Sequence, residues 1–207
     1  MRWTVVIPAK ALPAAKSRLL PALSDPAAHR ALVLAIREDT LAAARQAPAV
    51  ARVLLAVDRP QGAPEGVREF VQSRPGLNAA LAEAAEHAAT AWPEDGVAAL
   101  VSDLPALRPA ELAAALDVAA GHPRSFVPDA AGTGTTLLAV RPGHPLAPSF
   151  GAGSAARHRL DAFELPAAAG LRHDVDTAED LISAGRLPLG PATSAVLAAV
   201  SVTVRSP

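Results

Sequence analysis

Trp3-Thr4-Val5-Val6-Ile7-Pro8-Ala9-Lys10-Ala11-Leu12-Pro13-Ala14-Ala15-Lys16-Ser17-Arg18-Leu19 joins a short apolar run to a loop of small residues and cations. The run Trp3 to Ile7 is rich in β-branched residues and bounded by Pro8, which reads as a buried strand. The loop holds both lysines of the chain, Lys10 and Lys16; the other 17 of its 19 basic residues are arginine. So strong an arginine bias fits a GC-rich coding background, and yet lysine is kept here. A compact ammonium on a flexible stem reaches a phosphate where a planar guanidinium does not fit. Chance clustering of two surface lysines is the competing reading. The loop is not a Walker loop, because no Gly-Lys-Ser/Thr occurs, and not a dinucleotide fingerprint, because the first glycine is Gly62.

Working outward, Ser24-Asp25-Pro26 reads as a helix start, and an Ala/Leu/Ile pattern runs from it to about Ala47. Ala51 to Val57 is a second apolar run, ended by Asp58. The Pro-rich stretch Arg59 to Pro64 reads as a loop rather than a domain linker. Gly76-Leu77-Asn78 opens a helical segment over Ala79 to Ala91. Val97 to Val101 is a third strand, closed by Ser102-Asp103-Leu104-Pro105, and Arg108 to Ala120 is helical. Ser125 to Val127 and Thr135 to Val140 read as strands, Ser154 to Leu160 as a short helix, Leu171 to Val175 as a last strand, and Thr177 to Ala184 as a helix. Short apolar strands alternating with helices predict an α/β fold, with a mostly parallel central sheet covered on both faces. Ligands in such folds sit at the carboxyl ends of the strands, where the loops starting at Pro8, Asp58 and Ser102 would meet.

The 207 residues fit one domain, and with 51% apolar residues they can bury a sizeable core. A net charge of -1 gives no support for nucleic-acid binding, and 3% aromatics without tyrosine make base-stacking platforms improbable. The absence of cysteine excludes disulfides, thiolate metal sites and cysteine nucleophiles. No uninterrupted apolar run of about 18 residues and no signal-peptide pattern are present, so a cytoplasmic protein without membrane association is expected. The apolar run Ala192 to Val200 is too short to span a bilayer and either packs on the domain or frays as a tail.

Several groups of residues carry chemistry. Asp103 ends an apolar strand, a position suited to a Mg²⁺ ligand or to an ordinary turn aspartate. Asp174-Val175-Asp176-Thr177 alternates carboxylates; in a strand these point to opposite faces, so only one would join Asp103. Asp176 could instead cap the following helix, with Glu179 as its capping-box partner. Gly132-Thr133-Gly134-Thr135-Thr136 and Phe150-Gly151-Ala152-Gly153-Ser154-Ala155 pair glycines with hydroxyls, either as anion cradles or as ordinary turns. The six histidines are scattered without metal-ligand spacing; His158 could face the site.

With these residues in view, the chain resembles the guanylyltransferases of coenzyme F-420 biosynthesis, which activate 2-phospho-L-lactate or phosphoenolpyruvate. IPAKALPAAKSRL, GLNAAL, SDLPAL, GTGTTLLA, FGAGSAARH and LRHDVDT carry the resemblance, in order, from Val6 to about Leu181. It implies a single-domain, Rossmann-like nucleotidyltransferase fold over residues 1–190, with residues 191–207 as a C-terminal tail outside it. It implies GTP as donor, Mg²⁺ as cofactor, and pyrophosphate as product. Lys10, Lys16 and Arg18 match the catalytic phosphate loop of the nucleotide, and Gly76, Leu77 and Asn78 fall where relatives hold the base. Asp103, Asp174 and Asp176 match metal carboxylates, and Thr136, Gly151 and Ser154 match the acceptor site. The composition suits a high-GC actinobacterium, whose family members are associated with phosphoenolpyruvate, so that acceptor is implied. Its guanylylated product would pass to the next enzyme of the pathway, and a homodimer is compatible with the resemblance. The same reaction on 2-phospho-L-lactate, a cytidylyl- or molybdopterin-type relative, and a silent nucleotide-binding regulator remain the alternatives.

Overall fold

The structure is a computed structural model that describes residues 1–9 and 25–199. Its elements in chain order are β1 (Trp3–Ala9), α1 (Pro26–Gln46), β2 (Val50–Val57), β3 (Val67–Val71), α2 (Leu77–Ala91), β4 (Gly96–Leu100), α3 (Pro109–Ala119), β5 (Arg124–Pro128) and β6 (Thr135–Val140). There follow α4 (Ser154–His158), β7 (Phe163–Glu164), α5 (Ala169–Arg172), α6 (Ala178–Ala184) and α7 (Pro191–Ala199). The strands form one sheet in the order β3-β2-β1-β4-β6-β5-β7. β1 pairs in parallel with β2 and β4, β2 with β3, and β5 with β7. β6 runs antiparallel to both of its neighbours, so the expected mostly parallel sheet is present with one reversed strand.

The period-2 geometry of the strands sorts their side chains onto two faces. Val5, Ile7, Val53, Leu55, Ala98, Leu100 and Leu137 pack with Leu41 and Ala44 of α1 and Leu112 and Leu116 of α3. Val6, Leu54, Ala56, Val97, Ala99 and Leu138 pack on the other face with Leu81, Ala84 and Ala88 of α2. Both faces are covered, which is why the strands read as continuous apolar runs rather than alternating ones. Gly96 in β4 is required by packing: a Cβ there would lie 2.5 Å from the buried Trp3 ring.

The sequence reading located β1, α1, β2, α2, β4, α3, β5, β6, α4 and α6, with edges shifted by a few residues. It placed a strand over Leu171 to Val175, where the chain instead forms the one-turn helix α5 and then an extended turn. The two edge strands β3 and β7 were not expected. β3 reads Val-Arg-Glu-Phe-Val, with charges inside it, and β7 has only two residues, so neither carries an apolar run.

Residues 191–199, set apart by the sequence as tail, form α7 against α1. Asp39 of α1 is buried, and its carboxylate accepts from the backbone N–H groups of Ala192 (3.0 Å) and Thr193 (2.7 Å). Leu32 and Ile36 on the same helix pack with Leu181, Leu189, Val196 and Leu197. Losing such a carboxylate cap costs about 0.5–2 kcal/mol. Asp39→Ala is expected to lower the free energy of unfolding by that amount in urea titrations. Ending the chain at Gly190 should cost at least as much and should abolish the further effect of Asp39→Ala. Additive losses would show that Asp39 stabilises the fold by some other route.

Candidate active site

A cavity of about 650 Å³ opens at the carboxyl ends of β1 and β4, beside the end of β5 and the start of the reversed β6. Because β6 is reversed, the glycine turn that precedes it reaches the same rim as the loops that follow β1 and β4. Pro8 and Ala9 continue β1 into this cavity. Lys10, Lys16 and Arg18, the expected catalytic and phosphate-binding cations, lie outside the described residues.

Asp103, Asp174 and Asp176 come together here: each offers a carboxylate oxygen within 4.8 Å of the others. Asp103 is fixed through its neighbours. Its carbonyl accepts from Val175 N–H at 3.0 Å, and the following Leu104 N–H donates to Thr40 Oγ1 at 3.0 Å. The buried Val175 side chain sits among Leu32, Ile36 and Leu181 and anchors the stretch between the two other aspartates. The expectation that strand alternation would separate Asp174 from Asp176 fails, because this segment lies outside the sheet and the chain bends at Asp176 and Thr177. Nor does Asp176 cap the helix. Thr177 is the N-cap of α6, with Asp180 as its capping-box partner in place of Glu179. Burial, then the charges of Asp103, Asp176 and Asp129, push the Asp174 carboxyl up to about 7.

The opposing polar group is built from the two glycine-rich segments. Asp129 holds the first turn by accepting from Thr133 N–H (2.8 Å) and Gly134 N–H (2.7 Å). A Cβ on Gly134 would meet that carboxylate at 2.4 Å, so any other residue there would displace Asp129 from the turn it holds. The second segment is braced by Asn78, whose amide donates to Phe150 O (3.1 Å) and accepts from Phe150 N–H (2.8 Å). Arg157 adds bonds to the carbonyls of Ser149 and Ala152. Gly151 and Gly153 take positive φ values of 117° and 71°.

Several assigned roles change on this geometry. Leu77 lines the cavity, and both ends of the Asn78 amide bond the backbone of Phe150, so this side chain braces a loop of the cavity wall. Gly76, with φ of 104°, precedes α2 and does not line the cavity. Gly151 and Ser154 line it; Thr136 does not, and its hydroxyl is turned toward Val127 O at 3.5 Å. The neighbouring Thr135 faces inward in its place, as alternation along β6 requires. The start of α4 is not an open anion cradle either. Ser154 N–H donates to Gly151 O and Ala155 N–H to Thr133 O. The side-chain donors in this wall are the hydroxyls of Thr135 and Ser154.

Arg37 was missed. It lines the cavity from α1, one helical turn beyond Val33, and donates to Gln61 Oε1 at 3.2 Å. Burial lowers its pKa, partly offset by Glu69. The signal was a cation continuing the buried stripe of His29 and Val33. His158 lies behind the wall, not on it: it is buried, and Phe150 meets its ring edge-on. Burial, then Arg124, hold its pKa down to about 4.

Residues 3–183 match the family described as guanylyl transferase CofC like. The chain belongs to that family. It is 51% identical over 209 residues to the phosphoenolpyruvate guanylyltransferase of Streptomyces coelicolor, covering 96% of this chain and 97% of that one. Among solved structures it resembles a protein assigned as a nucleotide-diphospho-sugar transferase from Desulfovibrio desulfuricans G20 (TM-score 0.64, 17% identity, 87% and 85% of the two chains). It also resembles Rv0371c of Mycobacterium tuberculosis in complex with manganese (TM-score 0.51, 22% identity, 88% and 97%). These likenesses show a shared fold. Among the described residues, no helix is long and apolar enough to cross a membrane.

Three converging carboxylates are a hard-oxygen donor set, and the proton that Asp174 holds up to about 7 marks a local deficit of positive charge. Folded Asp174 keeps its proton above the ordinary carboxylate range, so its contribution to stability is lost as pH rises toward 7. A divalent cation would have to displace that proton. Mn²⁺ affinity, followed by calorimetry, is expected to weaken about tenfold per pH unit below about 7 and to level off above it. Asp174→Asn should flatten the profile. An affinity independent of pH between about 5.5 and 7 would show that Asp174 is not a ligand.

Proposed function

We propose that this protein transfers the guanylyl group of GTP to phosphoenolpyruvate, giving enolpyruvoyl-2-diphospho-5'-guanosine and pyrophosphate. The observation that carries the reading is one cavity containing both a carboxylate trio and a buried hydroxyl pair, in a chain half identical to a phosphoenolpyruvate guanylyltransferase along nearly its whole length. Its volume of about 650 Å³ is within the usual range for small-molecule sites.

In this reading a phosphate oxygen of the acceptor attacks the α-phosphorus of GTP. One phosphorus–oxygen bond forms, the bond to pyrophosphate breaks, and no covalent enzyme intermediate is needed. Two polyanions must meet, and two like unit charges 4 Å apart repel by about 4 kcal/mol at an effective dielectric near 20. Mg²⁺, held by Asp103, Asp174 and Asp176, would supply charge neutralisation and polarise the phosphates. Lys10, Lys16 and Arg18 answer the charge on the departing pyrophosphate, and Arg37 adds a cation on the same side as β1. Leu77 borders the base, and Gly76 shapes the backbone that leads into α2. Thr135, Gly151 and Ser154 receive the acceptor's anionic end. The family resemblance supports the product's transfer to a following enzyme and a cytoplasmic setting.

The deciding experiment is a matrix of GTP, CTP and UTP against phosphoenolpyruvate and 2-phospho-L-lactate, read as pyrophosphate release with Mg²⁺. Turnover with GTP and phosphoenolpyruvate is expected to exceed every other pair. Faster turnover with phospholactate would reassign the acceptor, and silence in every cell would mark a nucleotide-binding regulator. Asp103→Asn should lose more than nine-tenths of activity at saturating Mg²⁺ without lowering the melting temperature, since it removes one charge from three mutually repelling carboxylates. Ser154→Ala should raise KM for phosphoenolpyruvate about ten- to a hundredfold, the equivalent of one hydrogen bond to a charged group, and leave KM for GTP little changed. A larger effect on GTP would move Ser154 to the nucleotide side.

A further inference from the structure

The wall that receives the acceptor contains a chain of hydrogen bonds whose direction can be worked out by counting protons. Ser149 N–H donates to His158 Nε2 at 3.1 Å. A backbone amide cannot accept, so Nε2 carries no proton, and the ring's one proton lies on Nδ1. Nδ1 is 2.9 Å from Thr135 Oγ1, which therefore accepts from it. Thr135 Oγ1 and Ser154 Oγ are in turn 3.0 Å apart. The two hydroxyls own two protons. One is used between them, and none is used on the histidine, so one O–H is left over.

That remaining O–H has one direction to take. Thr135 and Ser154 are 6% and 1% exposed, and both line the cavity. The nearby carbonyls of Gly151 and Thr133 already accept from the backbone N–H groups of Ser154 and Ala155. With the opposite tautomer, Thr135 would donate to Nδ1 and Ser154 to Thr135. Both protons would then be consumed, and the cavity would meet only lone pairs. The ring is locked by more than its hydrogen bonds. Phe150, pinned by Asn78, meets it edge-on with centroids 5.4 Å apart, and Phe126 lies at 6.0 Å. Burial and the nearby Arg124 and Arg157 all oppose a second ring proton, with only Asp161 favouring it.

We propose that His158 is a positioning residue for the acceptor: with its proton on Nδ1, it turns the Thr135–Ser154 hydroxyl pair into a net donor of one O–H to an anionic oxygen in the cavity. This rests on the reading that the acceptor binds here. The pair then rejects a neutral ligand group that can only donate, and favours a phosphate or carboxylate oxygen, which can only accept. The backbone of Ser149 sets the tautomer, the tautomer sets the direction of the hydroxyls, and the hydroxyls select the anion.

The experiment has two arms. In the first, ¹⁵N-histidine-labelled wild-type protein without substrate is observed by long-range ¹H–¹⁵N NMR between pH 6 and 8. A pyrrole-type Nδ1 and a pyridine-type Nε2 are expected for His158; the reverse pattern, or a charged ring at pH 6, would overturn the proposal. The second arm compares His158→Asn with His158→Asp. The asparagine amide can sit where Nδ1 does and still donate to Thr135, whereas the carboxylate can only accept. His158→Asn should keep KM for phosphoenolpyruvate within about threefold of wild type, and His158→Asp should raise it about ten- to a hundredfold with KM for GTP unchanged. Equal effects of both variants on the acceptor, or a matching rise for GTP, would reduce His158 to a structural role. Absence of guanylyl transfer by wild-type protein would sink the functional reading, and this role with it. The NMR arm uses wild-type protein only, so it decides the tautomer even if the variants do not fold.

Discussion

Three carboxylates with oxygens within 4.8 Å of one another repel, and this repulsion is the constraint around which the site is organised. The protein meets it by fixing the backbone on which they stand. Val175 is driven into an apolar cluster, and its N–H is given to the carbonyl of Asp103. Thr40 secures the next peptide from the side of α1. A fourth carboxylate, Asp129, is diverted: its oxygens are spent on the amides of the neighbouring turn. The remaining strain is visible in the proton that Asp174 retains. Packing energy from Val175, Leu32, Ile36 and Leu181 thus offsets the cost of assembling a site that is unfavourable until cations arrive.

Much of this was legible in the sequence where a single physical rule dominates. Val97 to Val101 could only be a buried strand, and a carboxylate at its end had to stand at a sheet rim. The Asp25-Pro26 start announced α1, and Asp25 indeed accepts from Ala27 N–H at 2.9 Å. The reading went wrong where two rules competed. Leu171 to Val175 has the composition of a strand, but one backbone bond to Asp103 and one buried valine held it as a turn, and so brought both flanking aspartates to one side. Thr135 and Thr136 are adjacent and chemically alike; only the phase of β6 decides which faces inward, and phase is a tertiary property. Arg37 was hidden because a long helix offers many arginines and the sheet alone determines which one it turns toward the cavity.

The second wall follows a different logic from the carboxylate wall. It is set at a distance, through Asn78 to Phe150, through Phe150 to His158, and through His158 to the hydroxyls. Each link is a direct contact, and the relay reaches the cavity at Phe150 and again at the hydroxyls. The glycines around Phe150 supply backbone shapes that other residues rarely adopt, and Arg157 ties their carbonyls together. The carboxylate wall and the hydroxyl wall therefore have separate supports, α1 and β4 for the first and α2 and α4 for the second.

The bonds from Ala192 and Thr193 to Asp39 join positions 153 and 154 residues apart. During synthesis on the ribosome, α1 and every carboxylate of the metal cluster emerge well before their partner helix. Until then Asp39 lacks both donors, and the face of α1 bearing Leu32 and Ile36 remains partly uncovered. That face also supports Val175, and its neighbour Thr40 supports Leu104. A nascent chain can thus own every residue of the cluster and still lack its final geometry. Until α7 docks, the packing that holds the three carboxylates together is incomplete, so the geometry of the rim is set by the last helix described in the chain.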